Sequence, residues 1–248
     1  MSSTAPQDGW RPRAILFDLD DTLIDSSRAD SLALRETLET FQHEFHGASL
    51  PMLLALHTDL LKEARDLYHR SGVMTNLPER LGRLLRLVGA DSHSATKMGE
   101  YYYEARMRHL APYPDVLLFL NQLKRRYPLG IVSNGPKGIQ HRVLEAMGMA
   151  DLFQTVVVAG EVGVRKPDPA IFQMALTALK TSPQEVLMAG DSYPLDVVPA
   201  MRLGMRAAHV QGMPGDLRLN PFQSSRDPQE GPCSYRVARV PELRFLLE

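Results

Sequence analysis

Cysteine is almost missing from this chain: Cys233 stands alone among 248 residues. That excludes an internal disulfide framework and a cysteine-rich zinc site, and it fits a reducing compartment, so the cytoplasm is the expected location. Long apolar runs are missing too. No stretch approaches the roughly 18 to 20 apolar residues that a bilayer-spanning helix requires, so no membrane partner is expected. The polar start, Met1 to Pro12, has no signal-peptide core and reads as a disordered leader over residues 1–12, with Trp10 set to pack at the edge. Excess charge of either sign is lacking: a net charge of −1 with 23% charged residues gives no electrostatic footprint for nucleic acid. The eight histidines never take the His-Glu-x-x-His spacing of a metalloprotease. Internal repeats are also lacking. What remains is a chain long enough for one large domain, or for a core domain carrying an inserted one.

Residues Ala14 to Asp25 read Ala-Ile-Leu-Phe-Asp-Leu-Asp-Asp-Thr-Leu-Ile-Asp. The brief apolar run Ala14 to Phe17 suits a strand buried on both faces, and it leads straight into carboxylates. In open parallel α/β sheets, ligands bind beyond the carboxyl ends of the strands, which is where Asp18, Asp20 and Asp21 fall. Asp18 and Asp20 would share a side in an extended segment. Their repulsion calls for a cation, a basic side chain or a shared proton. Taken alone, Asp-x-Asp is more often a solvated turn.

From Ser26 to Leu110 the pattern is helical. Leu34, Leu38, Phe41 and Phe45 form one stripe; Leu53, Leu56, Leu60, Ala64 and Leu67 a second; Leu77, Leu81, Leu84 and Val88 a third. A fourth helix covers Ser94 to His109, with Tyr101, Tyr102 and Tyr103. Four helices without an intervening strand predict a bundle over residues 26–110, either a cover for the strand ends or packing mass and a dimer surface.

Strand and helix then alternate. A helix follows Asp115, and the predicted strands are Tyr127 to Val132, Thr155 to Ala159, Glu185 to Ala189, Arg206 to Val210 and an edge strand at Tyr235 to Val240. The second ends in Ser133-Asn134-Gly135 before a helix, a setting suited either to binding an anion through backbone N–H groups or to a plain turn. Gly160 to Pro169 reads as a loop holding Lys166 between stiffening prolines. The next strand ends in Gly190-Asp191, with Asp196 at the start of a helix beginning near Leu195 or Asp196. Gln211 to Pro232 reads as a long mobile loop, and Glu242 to Leu247 as a closing helix. The fold class is therefore α/β: a doubly wound, Rossmann-like parallel sheet core over residues 13–25 and 111–248, with an inserted helical cap.

Successive strand ends thus carry Asp-x-Asp-x-Thr, Ser-Asn, a loop lysine, and Gly-Asp with a second Asp five residues on. Converging carboxylates, a fixed cation and an anion-binding turn suit a magnesium-assisted phosphoryl site. In these motifs, in this order and spacing, the sequence resembles the haloacid dehalogenase-like superfamily, in its phosphatase branch with a helical cap after the first motif. The segment Glu161 to Pro167 and the Ser-Asn-Gly turn most resemble nucleotide and N-acylneuraminate phosphatases.

The resemblance implies an Mg²⁺-dependent hydrolysis of a small phosphorylated metabolite, a nucleotide or sugar phosphate, by a monomer or homodimer. Asp18 would be the nucleophile that becomes an aspartyl phosphate, and Asp20 the general acid and base. Lys166 would neutralise charge, and Ser133 and the Asn134 backbone would bind phosphate. Asp18, the Asp20 carbonyl and Asp191 would hold the metal, with Asp196 ligating directly or through water and Thr22 orienting the acid/base loop. Position 21 is Asp where many relatives have Gly, and Pro199 stands where a small residue is common. Asp20 argues against dehalogenation, since dehalogenating relatives lack it. A sugar phosphomutase resembling β-phosphoglucomutase uses the same motifs. A non-enzymatic phosphate-binding protein is a third reading, to which the loss of Asp18, Asp20, Lys166 or Asp191 would point. His69, Arg70, Asn76 and Arg80 are candidates for contacting the leaving group.

Overall fold

The computed structural model describes residues 9–71, 76–212 and 234–247, without the side chains of 65 and 68–71. Residues 1–8 of the expected leader, the expected loop beyond residue 212, Cys233 and the His69 and Arg70 side chains lie outside the described residues.

In chain order the elements are β1 (Ala14–Phe17), α1 (Ser26–Thr40), α2 (Leu50–Ser71), α3 (Leu77–Leu87), α4 (Ala95–His109), α5 (Val116–Leu123) and β2 (Leu129–Ser133). There follow α6 (Ile139–Ala146), β3 (Thr155–Val158), α7 (Ala159–Val162), α8 (Pro169–Leu179) and β4 (Val186–Gly190). The described chain closes with α9 (Val198–Arg202), β5 (Arg206–Val210), β6 (Ser234–Val237) and α10 (Arg244–Leu247). Contacts divide the chain into two compact units, Met1–Ser27 with Leu110–Glu248, and Arg28–His109.

The first unit holds one parallel sheet in the order β3-β2-β1-β4-β5-β6. Both faces of β1 are covered, which is why its four residues are apolar without alternation. Ala14 and Leu16 pack on one face with Ile171, Phe172 and Ala175 of α8. Phe17 turns to the other face and meets Phe153 edge to face at 6.5 Å. Phe17 pairs with Ile131 of β2 and with Ala189 of β4. The ends of the three central strands are therefore nearly level, and the strand order reverses beside β1, where ligands bind in such sheets.

Several boundaries differ from expectation: the edge strand expected to reach Val240 ends at Val237, with a 3₁₀ turn over Val240–Leu243, and β4 runs one residue later than expected. β2 starts at Leu129 because Pro128 has no N–H for the ladder, although its carbonyl accepts from Ile15 N at 3.0 Å. The loop after β3 begins as one helical turn, α7, which Gly163 ends at φ 76°. Helical backbone begins earlier than expected before Pro199, with a π turn over Tyr193–Val197 in which Val198 N bonds Tyr193 O. Trp10 donates its indole N–H to Gln184 O at 2.9 Å, and Arg206 stacks 4.5 Å from its ring.

The second unit contains the four expected helices, with a 3₁₀ turn at Gln42–Phe45. Its core includes Leu38, Phe45, Leu53, Leu60, Leu81, Leu84 and Met98. In α2 the inward face is Leu53, His57, Leu60 and Ala64; Leu56 is only partly buried and Leu67 is exposed, contrary to the expected stripe. Spacing alone cannot reveal that a histidine takes an inward position. Of the three consecutive tyrosines only Tyr102 is buried, and its hydroxyl donates to Asp30 at 2.9 Å. Asn76 caps α3, accepting from Glu79 N at 2.8 Å. Burial pulls the Arg80 guanidinium below its ordinary value, with Tyr102, Tyr103 and Asp30 opposing that shift.

Candidate active site

The expected catalytic, phosphate-binding and metal residues lie in the first unit, at the carboxyl ends of β1, β2 and β4 and in the loop before α8, whereas the candidates for contacting the leaving group, His69, Arg70, Asn76 and Arg80, belong to the second. Asp18 follows β1 directly, and its backbone N–H donates to Ala189 O at 2.9 Å, extending the ladder to β4. The chain then turns sharply. Leu23 N bonds Leu19 O at 2.9 Å, and Asp21 takes the left-handed conformation at φ 59°. Glycine takes that conformation without steric cost, whereas an aspartate there needs compensating bonds. Asp21 repays it by accepting from Ser27 N at 2.8 Å and Ser27 Oγ at 2.6 Å, which ties the turn to the start of α1.

Lys166 is the hub. Its ammonium lies 2.6 Å from Asp18 Oδ1 and 2.6 Å from Asp196 Oδ1, and the residue is 2% exposed. Asp196 is fully buried and accepts from Ser192 N at its other oxygen, at 3.0 Å. The backbone of Lys166 is clamped as well: its N–H donates to Asn134 Oδ1 at 2.7 Å, and its carbonyl accepts from Asn134 Nδ2 at 3.0 Å. The side chain of Asn134 thus carries the lysine-bearing loop. At the end of β2, Ser133 Oγ accepts from Gly135 N at 3.0 Å and from Gln140 Nε2 at 2.7 Å.

Thr22 joins the first motif to the fourth. Its hydroxyl accepts from Asp191 N at 2.9 Å and donates to Asp191 Oδ1 at 3.2 Å, with Asp18 Oδ2 at 3.5 Å. Rather than touching Asp20, it sets Asp191 beside Asp18. His209 of β5 bonds the Asp191 carbonyl through Nε2 at 2.9 Å; a carbonyl only accepts, so that nitrogen carries the proton. The Asp20 carboxylate faces elsewhere, Oδ1 accepting from Ser26 Oγ at 2.5 Å and Oδ2 from Gln140 Nε2 at 2.6 Å.

Among the described residues, Asp18, Asp191 and Asp196 bring one carboxylate oxygen each within 4.8 Å of the others, all three buried. Three carboxylates against one ammonium leave surplus negative charge where desolvation is costly. The Asp18 carboxyl responds: burial drives it well above its ordinary value, Lys166 opposes, and Asp196 and Asp191 push it further up. Burial would lower the Lys166 ammonium, but Asp18 and Asp196 outweigh that and hold it raised, so it stays charged. The surplus fits a hard divalent cation with oxygen ligands. Both oxygens of Asp196 are held closely, by Lys166 at 2.6 Å and by Ser192 N at 3.0 Å, whereas Asp18 is held closely at Oδ1 and its Oδ2 lies 3.5 Å from the Thr22 hydroxyl.

Sequence reasoning missed Gln140, Ser26 and His209, none of which belongs to a strand-end motif, and it missed the clamp formed by the side chain of Asn134, which does. Gln140 alone had a signal, a polar residue at an inward position of a short amphipathic helix.

A family model for haloacid dehalogenase-like hydrolases matches residues 12–204. The glyceraldehyde 3-phosphate phosphatase of Methanopyrus kandleri is 32% identical over 202 residues, spanning 80% of this chain and 84% of that protein. The human N-acylneuraminate-9-phosphatase is 27% identical over 242 residues, spanning 96% and 94%. The magnesium-bound HAD-hydrolase YfnB of Bacillus subtilis superposes with a TM-score of 0.73 at 21% identity, over 96% of this chain and 99% of that one, and shares its fold. With the four motifs gathered at one end of the sheet and the family model covering most of its length, this chain belongs to the haloacid dehalogenase-like hydrolases.

Proposed function

We propose that this chain hydrolyses a small-molecule phosphate monoester through an aspartyl phosphate on Asp18, with Mg²⁺ as cofactor. The observation that carries the reading is the buried group of Asp18, Asp191 and Asp196 around Lys166, whose ammonium lies 2.6 Å from both Asp18 and Asp196. Two named phosphatases among its relatives support the reaction class.

Asp18 attacks phosphorus, forming a carboxyl oxygen to phosphorus bond as the bond to the ester oxygen breaks. Asp20 gives its proton to that departing oxygen. It then takes a proton from the water that attacks phosphorus in the aspartyl phosphate, which frees inorganic phosphate and restores Asp18. Lys166 offsets charge on Asp18 and on the phosphoryl oxygens, while Ser133 and the Asn134 backbone bind that group. Magnesium, held by Asp18, Asp191 and the Asp20 carbonyl, would relieve repulsion between the nucleophile and the phosphate dianion. Uncatalysed hydrolysis of such esters is so slow that the site has to lower the barrier by on the order of 20 kcal/mol, chiefly by positioning and charge stabilisation.

Two of the relatives are named for glyceraldehyde 3-phosphate and for the 9-phosphate of an N-acylneuraminate, so sugar phosphates are the substrates to screen first, with nucleotides second. The single cysteine supports a cytoplasmic location, and no helix among the described residues is long and apolar enough to cross a membrane. The test is release of inorganic phosphate from p-nitrophenyl phosphate and from that panel, with Mg²⁺ or EDTA, by wild type and Asp18→Asn. Turnover should need both the metal and Asp18. Metal-independent turnover or an unimpaired variant would overturn the reading, and an isomeric sugar phosphate formed without phosphate release would indicate a mutase.

A further inference from the structure

Gln140 lies near the start of α6, is 1% exposed, and belongs to none of the four motifs. Its carboxamide nitrogen is 2.6 Å from Asp20 Oδ2 and 2.7 Å from Ser133 Oγ. An amide nitrogen carries two protons, so both bonds are donated at once. One side chain therefore links the turn after β1 to the end of β2. Its seat is tight: a Cβ on Gly135 would lie 2.3 Å from Gln140 Cδ. We propose that Gln140 is a positioning residue of this site, holding Asp20 for proton exchange with the leaving oxygen and aiming the Ser133 hydroxyl at the phosphoryl group. The inference rests on the phosphatase reading above.

The Ser133 half follows from counting lone pairs. Its oxygen has two, and Gly135 N and Gln140 Nε2 fill both. The hydroxyl proton is then left to donate to a third group. A phosphoryl oxygen is the acceptor the proposed reaction supplies. Without Gln140 the hydroxyl could rotate and spend its proton inside the protein.

The Asp20 half follows from the geometry of its contacts. Gln140 donates to Oδ2 at 2.6 Å and Ser26 to Oδ1 at 2.5 Å, so the carboxylate is held at both oxygens, from α6 and from the start of α1. A group that exchanges a proton with a leaving oxygen has to stand within hydrogen-bond reach of it. Removing the Gln140 amide removes the hold on Oδ2.

Gln140→Leu keeps most of the volume and removes both donors. Its kcat/KM is compared with wild type on p-nitrophenyl phosphate, whose leaving group departs readily without a proton, and on the alkyl phosphate that wild type turns over fastest. Losing the aim of Ser133 should lower both by about tenfold, and losing the hold on Asp20 should lower the alkyl ester alone by about tenfold more. A merely structural residue would not distinguish the two esters. Gln140→Glu, which offers only acceptors to Asp20 and Ser133, should show the same selective loss and decides the matter should the leucine variant fail to fold. Equal losses on both esters, or no loss, would overturn the inference while leaving an active phosphatase. Wild-type protein inactive on every ester would overturn the phosphatase reading and this inference with it.

Discussion

Asn134 and Lys166 exchange two hydrogen bonds, amide to carbonyl at 3.0 Å and backbone N–H to amide oxygen at 2.7 Å, although they stand 32 residues apart. The pair joins the end of β2 to the loop before α8, so the lysine ammonium is aimed by its neighbour's side chain as well as by its own loop. Asn134→Ala would leave a donor and an acceptor of Lys166 without their partner. It should cost about 1–3 kcal/mol in denaturant unfolding and lower kcat/KM by roughly tenfold or more, since Lys166 then loses its fixed place. Asn134→Asp retains the acceptor alone and should fall between the alanine variant and wild type.

Gly190 is held to glycine by Asp196. A Cβ at position 190 would lie 2.4 Å from the Asp196 carboxyl carbon and from its Oδ2. Gly190→Ala should therefore push Asp196 away from Lys166 and Ser192, destabilising the protein by about 1–3 kcal/mol. Thermal unfolding and steady-state kinetics check this: both stability and activity should fall, whereas a variant with wild-type activity would mean that Asp196 can move without consequence.

At Asp21 two effects oppose. The left-handed backbone favours glycine, while the carboxylate holds Ser27 at the start of α1. Asp21→Ala loses the bonds and keeps the strain, and should cost about 1–2 kcal/mol. Asp21→Gly loses the bonds but relieves the strain, so it should stay within about 1 kcal/mol of wild type. Urea unfolding of the two variants ranks them, and the reverse order would refute this explanation of the aspartate.

How much of this could be read in advance differs between the two kinds of residue. Asp18, Ser133 and Asp191 were legible because each terminates an apolar run, and strands buried on both faces mark their own ends. Gln140 was not. Its importance comes from two contacts, with Ser133 seven residues away and with Asp20 a further 113 residues upstream, and neither periodicity nor composition encodes that meeting. The roles within the acidic group were likewise beyond reach: that Asp196 serves Lys166 while Thr22 serves Asp191 depends on which side chains interdigitate at the strand ends. The bundle's four helices were legible from their stripes. The inward turn of His57 in place of Leu56 was not, because a histidine gives no apolar signal.

The raised Asp18 carboxyl sets a pH dependence. Without metal, the folded chain keeps a proton there at pH values where an unfolded aspartate, with a pKa of about 4, has released it. The native state then binds more protons than the unfolded one, so metal-free stability should fall as pH rises from about 4 through the elevated pKa. Mg²⁺ would take the place of that proton, and its stabilising effect should grow over the same window. Thermal melts in EDTA and in Mg²⁺ across pH would check it; a metal effect independent of pH would speak against Asp18 as a ligand.

The most direct measurement is to trap the acyl phosphate. Wild type turning over a ³²P-labelled monoester is quenched in acid, digested, and its labelled peptide sequenced. Label should appear on the peptide containing Asp18, be released by hydroxylamine, and vanish in Asp18→Asn. Label on another residue, or phosphate release by Asp18→Asn at the wild-type rate, would contradict an aspartyl phosphate at Asp18.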